Sequence, residues 1–238
     1  MRKYLTAVIH IIATVCISSL SLFFSLFDSS GESQRWCAQM WGKTCLLGAG
    51  VTLNVNGLSN ISGKGPFIFV SNHRSYLDIW VLLAAIPYSF RFVAKKSLFS
   101  WPFIGWHLQR SGHIPIDRAN SKAAAKLLLN AVQKVKDGTN IVIFPEGSRS
   151  ESDTLGEFKR GAFTLAARSG ATIIPVIIKN TAKLFPNTGL FVYPGSVEVN
   201  ILPPVDTGSF GPKKDEELMA HTWNIMNDWY PLNENRNV

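Results

Sequence analysis

Cysteine is scarce in this sequence, and its spacing excludes several kinds of site. The 238 residues include three cysteines, Cys16, Cys37 and Cys45, all in the first fifth of the chain and none in a CxxC spacing. An odd number of cysteines without that spacing argues against a disulfide framework and against a zinc site. The histidines form no HExxH pair either. The sequence therefore predicts no metal site.

Charged residues are also few, and acidic ones are the minority. They make up 17% of the chain, with 24 basic against 16 acidic residues and a formal net charge of +8. This balance favours an anionic partner, which could be nucleic acid, a membrane surface or a phosphorylated substrate. The lysines form no stripe interleaved with aromatic residues, and no nucleic-acid motif occurs. We therefore expect a membrane surface and no nucleic acid.

One long apolar run is present near the start of the chain. Residues 4–27 contain no charged side chain, which is about the length of a membrane span of roughly 20 residues. The run is long for a signal peptide and lacks a small-x-small cleavage site. Polar residues recur along it every three or four positions, so a helix would carry them as one stripe suited to packing on a second helix. These residues are Thr6, His10, Thr14, Ser18, Ser21 and Ser25.

Residues 36–53 supply a partner for that helix, so the sequence predicts an N-terminal membrane-associated helical hairpin. Arg2 and Lys3 would hold the N-terminus in the cytoplasm, and a full span would then send the remainder outside. A hairpin that dips into one leaflet keeps the remainder cytoplasmic, at the inner membrane of a bacterium. We favour the hairpin over the full span. Two domains follow, 1–55 for the membrane segment and 56–238 for an α/β domain.

Beyond Val51 the pattern changes to short apolar strands that alternate with helices. This alternation predicts an α/β fold with a mixed, mostly parallel sheet flanked by helices. Ligands of such sheets bind beyond the carboxyl ends of the strands. Strands are expected near 51–55, 66–70, 90–94, 112–116, 141–144, 171–178 and 190–201, and helices near 79–86, 121–136, 162–168 and 215–230.

The segment Asn72-His-Arg-Ser-Tyr-Leu-Asp78 places a potential general base, His73, close to a carboxylate, Asp78. Such a pair can take a proton from a hydroxyl group. On one ideal helix the two side chains diverge, so they meet only if His73 precedes a helix and Asp78 lies in its first turn. Asn72 or Ser75 could cap that helix. An Asp at a helix start also has a purely structural role through the helix dipole.

The segment Phe144-Pro-Glu-Gly-Ser-Arg-Ser150 follows an apolar run and contains Glu146, Gly147 and Arg149. An arginine in such a place is suited to holding a phosphate. The alternative is an ordinary turn with a surface ion pair, because Pro and Gly form turns whatever the function. Further on, Lys159 and Arg160 stand at the start of an expected helix, where they could meet an anion.

Together these segments resemble the glycerolipid acyltransferase family, in particular the 1-acylglycerol-3-phosphate acyltransferases of bacterial type. That family carries four ordered blocks, and Lys95-Lys96 with residues 97–106 resemble its linking segment. Pro115 is a departure, since the family usually has an aromatic residue there. The blocks are matched by Asn72, His73 and Asp78; by Gly112, Ile114, Ile116 and Arg118; by residues 144–150; and by Ile174, Pro175 and Val176.

The resemblance implies transfer of a fatty acyl group from acyl-CoA or acyl carrier protein to the sn-2 hydroxyl of 1-acylglycerol 3-phosphate, which gives phosphatidic acid without a cofactor. In that mechanism His73 is the general base and Asp78 orients it. The remaining family positions would bind the lipid acceptor. Arg118 and Arg149 would hold its phosphate with help from Lys95 or Lys96, Glu146 would orient its glycerol, and Gly147 would allow close backbone approach.

Three alternatives stay open at this level. The same chemistry could act on another acceptor, such as a lysophospholipid, a lyso-ornithine lipid or glycerol 3-phosphate. Ser75 could serve a Ser-His-Asp lipid hydrolase, although no G-x-S-x-G elbow is present. The chain could also be a non-catalytic membrane protein that binds anionic lipid through its basic residues.

Overall fold

The computed structural model describes residues 2–28, 31–117, 121–150, 152 and 154–230. Within this part of the chain, seven strands form one sheet, and eight α-helices and three short 3-10 helices accompany it. The strands are β1 Val51–Asn56, β2 Phe67–Ser71, β3 Phe90–Lys95, β4 Ile114–Ile116, β5 Asn140–Ile143, β6 Thr172–Lys179 and β7 Gly195–Ile201. The helices are α1 Arg2–Phe24, α2 Glu32–Ala49, α3 Leu77–Ala85, α4 Ile104–Arg110, α5 Ser121–Lys136, α6 Gly161–Ser169, α7 Thr181–Leu184 and α8 Asp215–Trp229.

The sheet has the order β1-β7-β6-β2-β5-β3-β4. Its neighbours run parallel except β6 and β7, which are antiparallel. The predicted α/β class with a mixed, mostly parallel sheet is therefore confirmed. The central strand β2 is buried along its whole length, as expected for a parallel strand that helices cover on both faces.

Successive side chains of β2 pack into two separate hydrophobic cores, because side chains alternate between the two faces of a strand. Phe69 packs on one face with residues of α2 and α3. Ile68 and Val70 pack on the other face with residues of α5, α6 and α8. Packing on both faces thus holds β2 in place, and this fixes the position of the residues that follow its carboxyl end.

Helices α1 and α2 form the predicted hairpin, and the polar stripe on α1 makes part of their contact. The hydroxyl of Thr6 donates to the carbonyl of Gly48 at 3.4 Å, and Nε2 of His10 lies 2.9 Å from the carbonyl of Cys45. The indole of Trp41 donates to the hydroxyl of Thr14 at 3.0 Å. Because the contacts step up α1 while they step down α2, the two helices are antiparallel.

The far end of α1 contacts α4, a helix that the sequence did not predict. The hydroxyl of Ser21 lies 2.8 Å from Nδ1 of His107, and the guanidinium of Arg110 donates to the hydroxyl of Ser25 at 3.0 Å. Thr6–Phe24 is the one segment of the described chain found to be long and apolar enough to cross a membrane. Its exposed apolar side chains include Val8, Ile11, Ile12 and Phe23.

Other boundaries shift from those expected. The late strand β7 begins at Gly195 rather than at residue 190, and residues 185–194 form a loop before it. Strand β1 pairs with β7 from Val51 to Asn56. The division of the chain into domains 1–55 and 56–238 stays a prediction.

Candidate active site

The pair His73 and Asp78 meets in the way that the spacing required. His73 lies in the turn after β2, and Asp78 lies in the first turn of α3. Nδ1 of the imidazole is 2.7 Å from Oδ2 of the carboxylate. Asp78 is fully buried, whereas 15% of the His73 side chain is exposed. The carboxylate is therefore enclosed and the imidazole stays accessible.

Backbone amides hold the Asp78 carboxylate in place. Its Oδ2 accepts the N–H groups of Arg74 at 2.7 Å and Ser75 at 2.9 Å, besides its contact with His73. Hydrogen bonds from N–H groups to a carboxylate are among the stronger ones in proteins. Because three donors converge on this one oxygen, the carboxylate has little freedom to turn away from the imidazole.

Asn72 and Ser75 anchor the turn to other elements. The amide of Asn72 bonds both backbone groups of Ile178, with its Nδ2 donating at 2.9 Å and its Oδ1 accepting at 2.8 Å. Asn72 is thus tied to β6 and is not a helix cap. The hydroxyl of Ser75 donates to the carbonyl of Phe185 at 2.7 Å and accepts from Leu77 N at 3.2 Å. Both bonds of this hydroxyl go to backbone groups, which fits a positioning residue rather than a nucleophile, while the N-cap of α3 is Tyr76.

Glu146 joins the second motif to the first. Its Oε1 accepts the backbone N–H of His73 at 2.8 Å, and its Oε2 accepts that of Gly156 at 3.2 Å. The backbone N–H of Ser150 returns to the carbonyl of His73 at 2.9 Å. Burial raises the pKa of the Glu146 carboxyl, while the two N–H donors oppose that rise. The two motif loops are therefore locked to one another around His73.

Gly147 needs both its backbone freedom and its lack of a side chain. Its φ of +79° lies in the left-handed region. A Cβ atom there would stand 2.9 Å from Cε and Nζ of Lys159, whose own backbone N–H donates to Pro145 at 2.8 Å. The ammonium of Lys159 thus lies against this turn. The sequence indicated Lys159 only as a residue near a helix start.

Arg149 and Arg160, two cations of this region, have different surroundings. Nη1 of Arg149 donates to Oδ1 of Asn187 at 2.8 Å, and its guanidinium lies 3.6 Å above the ring centroid of Tyr76. The guanidinium of Arg160 instead bonds both carboxylate oxygens of Asp215 at 2.8 Å. Arg160 is therefore already paired with a carboxylate of α8, and a contact of Arg160 with an external anion stays a prediction.

Two further basic residues of the predicted site, Lys95 and Lys96, lie at the carboxyl end of β3. Lys95 is the exposed last residue of β3, paired in register with Ile116 of β4. Lys96 follows it, and its Nζ is 4.0 Å from Oδ2 of Asp117. Arg118 lies outside the described residues. Asn187 also lies beside the site. The sequence did not indicate this residue, because its loop contains no motif.

The part of the chain that contains these motifs matches a known protein family. Residues 52–179 match the protein-family model described as Acyltransferase. The crystal structure of the 1-acyl-sn-glycerophosphate (LPA) acyltransferase PlsC from Thermotoga maritima superposes with a TM-score of 0.83 and 29% sequence identity. That match covers 97% of this chain and 96% of the Thermotoga chain.

Curated proteins with similar sequences carry the name 1-acyl-sn-glycerol-3-phosphate acyltransferase. The chloroplastic LPAT1 of Arabidopsis thaliana is 34% identical over 77% of this chain and 52% of its own length. The Pseudomonas aeruginosa protein is 34% identical over 80% of this chain and 74% of its own. The Saccharomyces cerevisiae protein is 38% identical over 87% and 69%, respectively. The chain spans about half the length of the chloroplast relatives it matches.

Proposed function

The chain belongs to the acyltransferase family, and we propose that it moves a fatty acyl group from a thioester to the sn-2 hydroxyl of 1-acylglycerol 3-phosphate, giving phosphatidic acid. The names and coverage of its relatives support this reaction. The observation that carries the proposal is the 2.7 Å contact between His73 and a buried Asp78. A histidine oriented by a carboxylate is the apparatus for general-base catalysis.

In this reaction His73 is the base. Because Asp78 occupies Nδ1, the nitrogen left for the acceptor is Nε2. It takes the proton of the hydroxyl while that oxygen attacks the thioester carbonyl, so the new C–O bond forms and the C–S bond breaks. The imidazolium then returns the proton to the departing thiolate. The acceptor is itself the nucleophile, so no acyl-enzyme is required.

The acceptor's phosphate would bind beside the turn at Gly147. Arg149 offers a guanidinium and Lys159 an ammonium there, and the phosphate would replace Asn187 as the partner of Arg149. Guanidinium groups bind phosphate oxygens in pairs. Arg118 keeps its proposed place in this set, with Lys95 or Lys96 reaching from β3.

Glu146 would orient the acceptor's glycerol through the carboxylate lone pairs that do not accept from backbone N–H groups. Its two oxygens already accept from His73 and Gly156, and each oxygen has a second lone pair for a glycerol hydroxyl. The same residue fixes the loop that bears the base, so its contribution combines binding with positioning.

We also propose that the hairpin rests in one leaflet rather than crossing the membrane. Helix α1 has 23 residues, about 34 Å at 1.5 Å per residue. The α/β domain contacts it near both ends, through Phe191 at Tyr4 and through His107 at Ser21. A helix held at both ends by a polar domain fits the membrane interface, with its apolar side in lipid. The site would then face the cytoplasm, where acyl-CoA or acyl carrier protein is available.

The test is thiol release from acyl-CoA by purified protein in detergent, with lysophosphatidate as acceptor. Wild-type protein should release thiol only when acceptor is present, and His73→Ala should lose the activity while keeping its thermal midpoint. His221→Ala removes an exposed histidine on α8 and is the matched control. Release without acceptor would indicate a thioesterase and would contradict the proposal.

Parallel assays identify donor and acceptor. Acyl carrier protein thioester replaces acyl-CoA in one series. Lysophosphatidylcholine, lyso-ornithine lipid and glycerol 3-phosphate replace lysophosphatidate in another. Faster transfer to any of these than to lysophosphatidate would overturn the proposed acceptor and leave the reaction class standing.

A further inference from the structure

The loop of residues 185–194 exposes apolar side chains at its tip. Its sequence, Phe-Pro-Asn-Thr-Gly-Leu-Phe-Val-Tyr-Pro, contains no charged residue. The backbone N–H of Tyr193 donates to the carbonyl of Leu184 at 2.8 Å, which closes the loop at its base. Leu190 is 85% exposed and Tyr193 is 57% exposed. Single exposed apolar residues are common on protein surfaces, but a contiguous apolar patch marks a site of interaction with a membrane or another protein.

This tip adjoins the apolar surface of α1. The ring of Phe191 meets the ring of Tyr4 edge to face, with centroids 5.5 Å apart. Tyr4 is itself 62% exposed and stands just before the apolar segment Thr6–Phe24. The exposed apolar side of α1 therefore continues across Tyr4 onto the loop. Aromatic residues at such a position are typical of the membrane–water interface.

The base of the loop is bonded to the candidate active site. The carbonyl of Phe185 accepts the hydroxyl of Ser75 at 2.7 Å, in the turn that bears His73. Oδ1 of Asn187 accepts from Arg149 at 2.8 Å. One short loop thus connects the apolar surface beside α1 with the cation proposed to hold the acceptor's phosphate.

We propose that the 185–194 loop is a second membrane contact, which places Leu190 and Tyr193 in the headgroup region of the bilayer beside α1. The partner is a phospholipid bilayer. The loop thereby holds the entrance to the site at the depth where a lysolipid carries its phosphate, close to Arg149. This second part rests on the proposed function, whereas the bilayer contact itself does not.

Fluorescence quenching tests the contact independently of catalysis. Leu190→Cys is made in a Cys16→Ser background, since Cys37 and Cys45 are fully buried, and is labelled with bimane. The protein is bound to vesicles of phosphatidylethanolamine and phosphatidylglycerol that contain a headgroup-region nitroxide lipid. The matched control is Leu129→Cys, a 57% exposed leucine on α5. Helix α5 packs on the opposite face of the sheet from α2.

We expect the label at 190 to be quenched several-fold more strongly than the label at 129. Equal quenching at the two positions would overturn the bilayer contact. Either result stands whatever reaction the protein catalyses, so this measurement separates failure of the loop proposal from failure of the proposed function.

Kinetics test the entrance role. Leu190→Asp should lower kcat/KM at least about five-fold for lysophosphatidate embedded in the same vesicles, because a carboxylate resists entry into the bilayer. For a short-chain lysophosphatidate below its micelle concentration, kcat/KM should stay within about two-fold of wild type. Leu129→Asp should change neither value. Equal losses on both acceptors would indicate a distorted site, and no loss on either would show that the loop does not serve as the entrance; each result overturns this role.

Discussion

The imidazole of His73 lies flat against the phenyl ring of Phe144, with ring centroids 3.9 Å apart and planes 16° apart. Phe144 in turn stacks on Phe92, at 6.3 Å and 13°. Asp78 fixes one atom of the imidazole, and Phe144 fixes its plane. The face of a phenyl ring also carries negative charge density, which favours a cationic ring above it. In the proposed reaction, that cation is the form of His73 after it has accepted the proton.

Phe144→Leu should therefore slow the chemical step more than it weakens substrate binding. Ring stacking contributes about 0.5–1.5 kcal/mol, so we expect kcat to fall roughly 2- to 10-fold with both KM values nearly unchanged. Steady-state kinetics beside a thermal melt measure this, and Phe144→Tyr should recover most of the rate. A variant whose kcat equals that of wild type would show that the stack is only packing.

Asp78→Asn should remove most of the activity with modest loss of structure. An amide keeps an oxygen to accept the N–H groups of Arg74 and Ser75 but cannot stabilise a cationic imidazole. In a Ser-His-Asp protease the same exchange costs about 10⁴-fold in kcat, and we expect a loss on the order of 10³-fold or more here. Asp137→Asn is the control, since Asp137 is exposed and lies directly after α5. Retention of a tenth of the activity by Asp78→Asn would contradict the role.

Arg149→Ala should raise the KM for lysophosphatidate while the KM for the acyl donor stays constant. Loss of a charge-assisted bond costs about 1.5–3 kcal/mol, which corresponds to roughly 10- to 150-fold in acceptor kcat/KM. Arg160→Ala deletes a nearby cation that Asp215 already engages, so acceptor KM should not change in that protein. Equal effects of the two substitutions would mean that general positive charge, rather than Arg149, attracts the acceptor.

Glu146→Gln should change how stability depends on pH. Burial raises the pKa of this carboxyl above its ordinary value of 4.5. The folded chain then binds its proton more readily than the unfolded chain, so this group's contribution to stability is greatest below about pH 4.5 and is lost as pH rises through the raised pKa. The thermal midpoint of wild type minus that of Glu146→Gln, measured in detergent, should be larger at pH 4 than at pH 8. A constant difference would mean that the pKa is not raised.

Local patterns were enough to predict most elements and to restrict how His73 and Asp78 could meet. The five-residue spacing allowed the two side chains to meet only with His73 before a helix and Asp78 in its first turn, and the structure has that arrangement. The strands β2, β5 and β6 are short apolar runs bounded by turns, and such runs are typical of buried parallel strands. Helix α4 was not predicted because it has only seven residues and follows Pro102 and Phe103, a pair that is typical of a loop.

Three contacts of the candidate site were not predicted from the sequence, because they join residues from separate parts of the chain. Asn187 reaches Arg149 across 38 residues, and Lys159 meets Gly147 only because the chain turns back between them. Phe144 was indicated as the end of a strand, and its stack on His73 joins residues that are far apart in sequence. The spacing of apolar residues along the chain does not predict such contacts, since they depend on how the loops at the sheet edge are placed relative to one another.

The edge strand β1 pairs in parallel with β7 across more than 140 residues of chain. During synthesis the hairpin leaves the ribosome together with β1, whereas β7 is made last of all the strands. Contacts of such sequence separation form late because closing the loop between them costs entropy. The apolar hairpin is therefore complete while the strand that follows it still lacks its partner. We expect the nascent chain to reach the bilayer first and to finish its sheet there, beside the lipid proposed as its substrate.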